Sequence, residues 1–128
     1  MKGTIDFKHD TINDVVIAIP KWNIQTKEDC EVWYKQWEDF LSKFNRKMDA
    51  IMVLNDFNVE SGIAAEWGEY RAKLINNYTR FSYRVNPNLV TGIFIKTSGV
   101  RYNASSKEAN SLESAIHAIK EDRKKSGL

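Results

Sequence analysis

Two short apolar runs, at residues 15–19 and 50–54, constrain the fold more than any other feature of the sequence. The first, Val15-Val16-Ile17-Ala18-Ile19, is continuous and β-branched, as expected of a strand buried on both faces. The second is Ala50-Ile51-Met52-Val53-Leu54. Between them, Cys30, Trp33, Trp37, Phe40, Leu41 and Phe44 recur at spacings of three and four, which predicts an amphipathic helix over 27–45. Thr26 and Asp29 stand where a capping box would start it. A helix joining two buried strands is a βαβ unit, so the strands should be parallel and the crossover right-handed.

The flanking sequence extends this unit. Ile5 and Phe7 alternate with polar neighbours, which predicts a half-exposed strand over 4–8. Asn13-Asp14 is a turn signal, so strand and run together predict an N-terminal hairpin. Pro20 should end the second strand because it has no N–H to donate. A polar loop over 55–62 leads to a helix over 63–78, with Ala64, Trp67, Leu74, Ile75 and Tyr78 on one face. Gly68 inside that helix costs about 1 kcal/mol relative to Ala, which suggests close packing there. Phe81, Tyr83 and Val85 alternate with Ser82 and Arg84, which predicts a strand with one wet face. After a turn at 86–88, a further strand is expected over 90–96, continuing through Val100 and Tyr102. A last helix should span 110–125, capped by Asn110 and Glu113. The predicted fold is α/β: one mixed sheet of about five strands in β-β-α-β-α-β-β-α order, with helices packed on it.

At 128 residues the chain is expected to form a single domain over 1–128, large enough for a core without metals or disulfides. Charge is nearly balanced, 19 Lys and Arg against 17 Asp and Glu, which argues against nucleic acid and anionic membranes as partners. Lys120, Arg123, Lys124 and Lys125 read as a solvated last helical turn. The longest apolar runs are far below the roughly 20 residues of a membrane span, and the first ten residues do not resemble a signal peptide. The lone Cys30 fits a reducing cytoplasm and lies on a helical stripe, where packing is its expected role.

Catalytic patterns are sparse. His9 and His117 lie outside any metal-ligand spacing, and no phosphate-binding glycine loop or nucleophile elbow occurs. No cofactor or metal is expected. Asp56, Glu60 and Glu66 gather after the 50–54 strand, either for acid–base work or as soluble loop charges near a helix N-terminus. That loop leaves the carboxyl end of a parallel strand, where open α/β sheets bind ligands and partners. Arg71, Arg80, Arg84 and Arg101 form a second candidate patch, with Tyr78 and Tyr83, for an anionic ligand.

The segment Val59-Glu60-Ser61-Gly62-Ile63, following a buried strand and entering a helix, carries a resemblance. With the opening hairpin and the alternation that follows, the chain resembles STAS-like domains of the divergent SpoIIAA-like, anti-sigma-factor-antagonist group. Their signature is Asp-Ser-Ser-Gly-Leu; here Ser61 matches the serine before the glycine, and Gly62 and Ile63 match Gly-Leu. Val59 and Glu60 replace the Asp and first Ser, and Glu60 beside Ser61 would oppose phosphorylation. The resemblance implies the fold, and Ser61 as the candidate phosphorylation site.

Two functions follow as expectations. The first is a non-enzymatic cytoplasmic regulatory or protein-interaction module using the loop over 55–66 and the adjoining helix, including Trp67. The second is a small-molecule domain or small enzyme, its pocket for an anionic, apolar ligand lined by Trp67, Tyr78, Arg80, Tyr83 and Arg84. The aromatic count of 6 Phe, 5 Tyr and 4 Trp adds a third element, a homodimer interface. Trp22, Phe57, Tyr70, Phe81, Tyr83 and Tyr102 are the aromatics that predicted core stripes leave unassigned.

Overall fold

A computed structural model of the chain describes residues 3–86, 89–102 and 106–128. It is α/β, with one mixed sheet and helices packed on it. The strands are β1 (Thr4–Asp10), β2 (Val15–Ile24), β3 (Met48–Val53), β4 (Asp56–Val59), β5 (Thr79–Val85) and β6 (Lys107–Ala109). The helices are α1 (Lys27–Leu41), α2 (Ala64–Tyr78), α3 (Leu89–Tyr102) and α4 (Leu112–Lys125). The sheet order is β1-β2-β3-β5-β6, and β4 pairs with the far end of β2. β1 and β2 form the antiparallel hairpin, Asp10 pairing with Val15, and every other pairing is parallel.

Side-chain alternation along the strands divides the core into two layers. Val16, Ala18, Ala50 and Met52 point to one face, under Trp33, Trp37 and Leu41 of α1, Trp67 and Leu74 of α2 and Ile95 of α3. Val15, Ile17, Ile51, Tyr83 and Val85 point to the other, under Ala115 and Ile119 of α4. The aromatic surplus belongs mainly to the first layer. Trp33, Trp37 and Trp67 are fully buried, and Trp22 pairs in register with Phe57 between β2 and β4, both buried. A Cβ at Gly3 would collide with the Trp22 ring, so the chain approaches that ring where glycine leaves room.

The α1 capping box is present as expected: Thr26 Oγ1 accepts from the Asp29 amide, and the Asp29 carboxylate accepts from the Thr26 amide. Several expectations are corrected. Residues 90–96 are not a strand; they belong to helix α3. The reason is topological. β6 lies beside β5 and parallel to it, so the chain needs a crossover of a dozen or more residues between them. That requirement outweighs the β-branched composition. The loop over 55–62 contains β4 and a 3-10 turn, Ser61–Ile63. Pro20 does not end β2. It lies between the parallel partners, where β3 pairing stops at Ala18 and β4 pairing begins at Lys21. Helix α1 stops at Leu41 rather than 45, and α4 is capped by Ser111 with Ser114, not by Asn110 with Glu113. β5 is drier than expected: Ser82 and Arg84 are buried on the side opposite Tyr83, while Arg80 near the start of the strand is exposed. In the turn expected at 86–88, Asn86 takes a positive φ of 55°, while residues 87–88 lie outside the described residues.

Candidate functional site

The carboxyl ends of β4 and β5 and the start of α2 form one end of the molecule. Glu60, Ser61 and Gly62 are exposed there, whereas Asp56 is exposed at the opposite end of β4, paired in register with Lys21. The Glu60 carboxylate accepts from Asn23 Nδ2 at 3.1 Å, and Asn23 Oδ1 accepts from Asn58 Nδ2 at 2.8 Å, which ties the rim to β2. The Glu60 amide donates to the Ile24 carbonyl, and the Ile63 amide to the Glu60 carbonyl. These two bonds turn the chain from β4 into the 3-10 turn and hold Ser61 outward. Glu66 lies in the first turn of α2, where a carboxylate favours the helix dipole.

Beside Ser61 is a cavity of about 240 Å³. Ser61, Ala64, Ala65 and Gly68 form one wall, and Phe94, Thr97 and Arg101 of α3 form the other. Gly68, expected to mark close packing, is buried and lines the cavity where α2 faces α3. The lining is small and apolar, with a hydroxyl at either side and one cation.

The anionic-ligand patch expected from sequence does not form as one site. Trp67 is fully buried in the core, against Trp33 and Phe57. Tyr78 donates to Glu38 Oε2 at 2.8 Å, and Tyr83 donates to Asp122 Oδ2 at 2.7 Å on the α4 face. Burial and that acidic partner push the Tyr83 phenol up to about 12. Arg80 lies at the amino end of the strands, in a fork on Asp49 at 2.9 and 2.6 Å. Arg101 lines the Ser61 cavity. Only Arg71 and Arg84 come together. Arg84 Nη1 donates to the Ser106 carbonyl at 2.6 Å and to Ser106 Oγ at 2.9 Å. Arg71 Nη2 donates to the same Oγ at 2.9 Å. Both arginines are buried, Arg71 completely. Burial and then the Arg84 charge hold the Arg71 guanidinium down to about 10. Burial also lowers Arg84, with Glu108 acting against it from 4.0 Å.

Sequence reasoning passed over two residues here. Ser106 carries no motif and is recognisable only once β6 is seen beside β5. Arg123 was assigned to a solvated helical turn, yet it reaches Asp49 at 2.8 Å and the carbonyls of Asn13 and Asp14 at 2.9 and 2.8 Å. Cys30 is buried as expected, its thiol pushed up to about 12 by burial first and Glu66 second. His9 bonds Asp14 at 3.0 Å, and His117 is exposed on α4. Among the described residues no group of three or more His, Cys, Asp and Glu could hold a metal ion, and no helix is long and apolar enough to cross a membrane. No protein-family model matches the chain, and no curated protein matches it.

Proposed function

We propose that the chain is a non-enzymatic regulatory or protein-interaction module, met by its partner on the rim of Glu60, Ser61 and Gly62. The observation that carries this reading is the position of Ser61. It is exposed at the carboxyl end of the parallel strands and at the mouth of an apolar-walled cavity. A partner's apolar side chain would enter between α2 and α3 while the rim supplies hydrogen bonds. The resemblance to SpoIIAA-like domains supports the same surface, as does the hairpin-first order of the sheet. Phosphorylation at Ser61 would switch it. The added charge would stand beside Glu60, which opposes it, and across the cavity from Arg101, which favours it. The module is read as cytoplasmic, consistent with a single buried thiol that needs no oxidising compartment.

The test is site-specific photo-crosslinking in cells. A photoreactive residue at Ala65, on the cavity wall, should give a discrete protein adduct, and one at His117 on α4 should give none. Ser61→Asp should cut the Ala65 adduct about tenfold, equivalent to about 1.4 kcal/mol of binding. No adduct from Ala65, or equal adducts from both positions, contradicts the reading.

A further inference from the structure

We propose that the outer edge of β1 is a homodimer interface, two copies of the chain joining β1 to β1 antiparallel about a two-fold axis at Phe7. This surface is separate from the Ser61 rim and does not depend on the interaction reading. β1 is an outer strand of the sheet and pairs with β2 alone. Its seven residues keep one register along β2, and none of them is proline. A bulge, a proline or a very short strand would blunt such an edge, and β1 has none of the three. At the other side of the sheet, β6 has only three residues. A regular strand of seven residues offers backbone N–H and C=O groups to one more strand.

The charge pattern selects the occupant. In an antiparallel pair related by a two-fold axis, facing residues lie equally far from the axis. With the axis at Phe7, Asp6 of each copy faces Lys8 of the other, Ile5 faces His9, Thr4 faces Asp10 and Phe7 faces itself. Asp6 and Lys8 are both exposed. An axis at residue 6 would set Asp6 against Asp6. An axis at residue 8 would set Lys8 against Lys8 and Asp6 against Asp10. Opposite charges across a ladder attract and like charges repel, so the pattern favours the register centred on Phe7. Lys8 also disfavours a neutral strand from another protein, which would give it no counterion.

The helix layer fits the same axis. A two-fold axis between antiparallel strands stands normal to the sheet, so α1 of both copies lies on one face. Phe7 stacks on Phe40 with ring centroids 4.6 Å apart, and Phe40 meets Phe44 at 5.9 Å. All three rings are half-buried, at the border of the core. Joining β1 to β1 brings the two aromatic sets toward each other across the axis and covers them further.

The test is sedimentation equilibrium of the full chain from micromolar to millimolar concentration, a range suited to an interface as small as one strand edge. Wild type should show a reversible monomer–dimer equilibrium. Lys8→Asp sets carboxylate against carboxylate on both sides of the axis and should weaken the dimer by about tenfold or more. Asp6→Lys should do the same with ammonium groups. The double variant Asp6→Lys, Lys8→Asp faces opposite charges again and should regain the dimer. An equimolar mixture of the two single variants should associate where neither does alone. Both positions are exposed, so these variants should keep the fold. The proposal falls if wild type stays monomeric throughout, which leaves the edge to a strand of another protein or to none. It falls also if either single variant dimerises as wild type does, which puts a different face between the copies, or if the double variant stays monomeric.

Discussion

At the amino end of the parallel strands, Arg80 and Arg123 close on the Asp49 carboxylate at 2.6 to 2.9 Å, and the Phe81 amide is a third residue donating to it, at 3.1 Å. At the carboxyl end, Arg71 and Arg84 close on a serine hydroxyl and carbonyl. Both ends bring two arginines together. At one, a fully buried carboxylate bridges them, and the same Arg123 ties α4 to the β1–β2 turn. At the other, an uncharged residue sits between the two cations. The first arrangement is complete as it stands and holds the sheet to α4. The second brings two buried guanidinium groups onto Ser106, with the Glu108 carboxylate 4.0 Å from Arg84.

The sharpest test of this contrast removes charge at each end. Asp49→Ala strands two cations around a buried gap and should cost about 3–5 kcal/mol in urea unfolding. Arg84→Met removes a cation whose facing carboxylate, Glu108, stands 4.0 Å away, and should stay within about 1 kcal/mol of wild type or gain stability. Equal losses at both ends would erase the distinction.

Acid should attack the amino end first. Burial raises the Asp49 carboxyl, but the hydrogen bonds from Arg80 and Arg123 outweigh it and hold it below its ordinary value of 3.8. Hydrogen bonds from Arg46 and then His9 hold Asp14 down to about 2. A carboxyl depressed on folding stabilises above its unfolded value and loses that contribution as pH falls through its folded one. Melting temperature should therefore drop between about pH 4 and pH 2, and Asp49→Asn should flatten the drop. A wild-type profile level across that window would contradict the assignment.

The sequence made the interior more legible than the ends. Hydrophobic period marked β2, α1, β3 and α2, because each buries a stripe several residues long. It failed for 89–102, where apolar residues occur all along the helix: Ile95 is buried while Ile93 and Val100 are exposed. No amphipathic face marks such a helix. β6 has three residues, too few for any period. The segment over 55–62 was legible as the polar link from β3 to α2, but the four-residue strand β4 inside it was not. The arginine patch was not, because Arg80 and Arg84 lie at opposite ends of β5: Arg80 reaches the Asp49 end and Arg84 the Ser106 end. Long-range partners such as Asp49 with Arg123 leave no local trace.

Smaller effects should separate buried groups from the rim. Cys30 should resist alkylation in the folded protein at pH 8, reacting more than about a thousandfold slower than in urea, because access requires unfolding. Rapid native labelling would show that α1 opens locally. Glu60→Gln, on the exposed rim, should shift stability by less than about 0.5 kcal/mol. A larger loss would make the rim part of the brace.

The contrast between the two ends is tested most directly by following the side-chain Nε–Hε signals of arginine by NMR while the pH is lowered through the range in which Asp49 gains its proton. The signals of Arg80 and Arg123 should move together, and those of Arg71 and Arg84 should stay fixed. Movement of all four in parallel, or of none, would contradict the account.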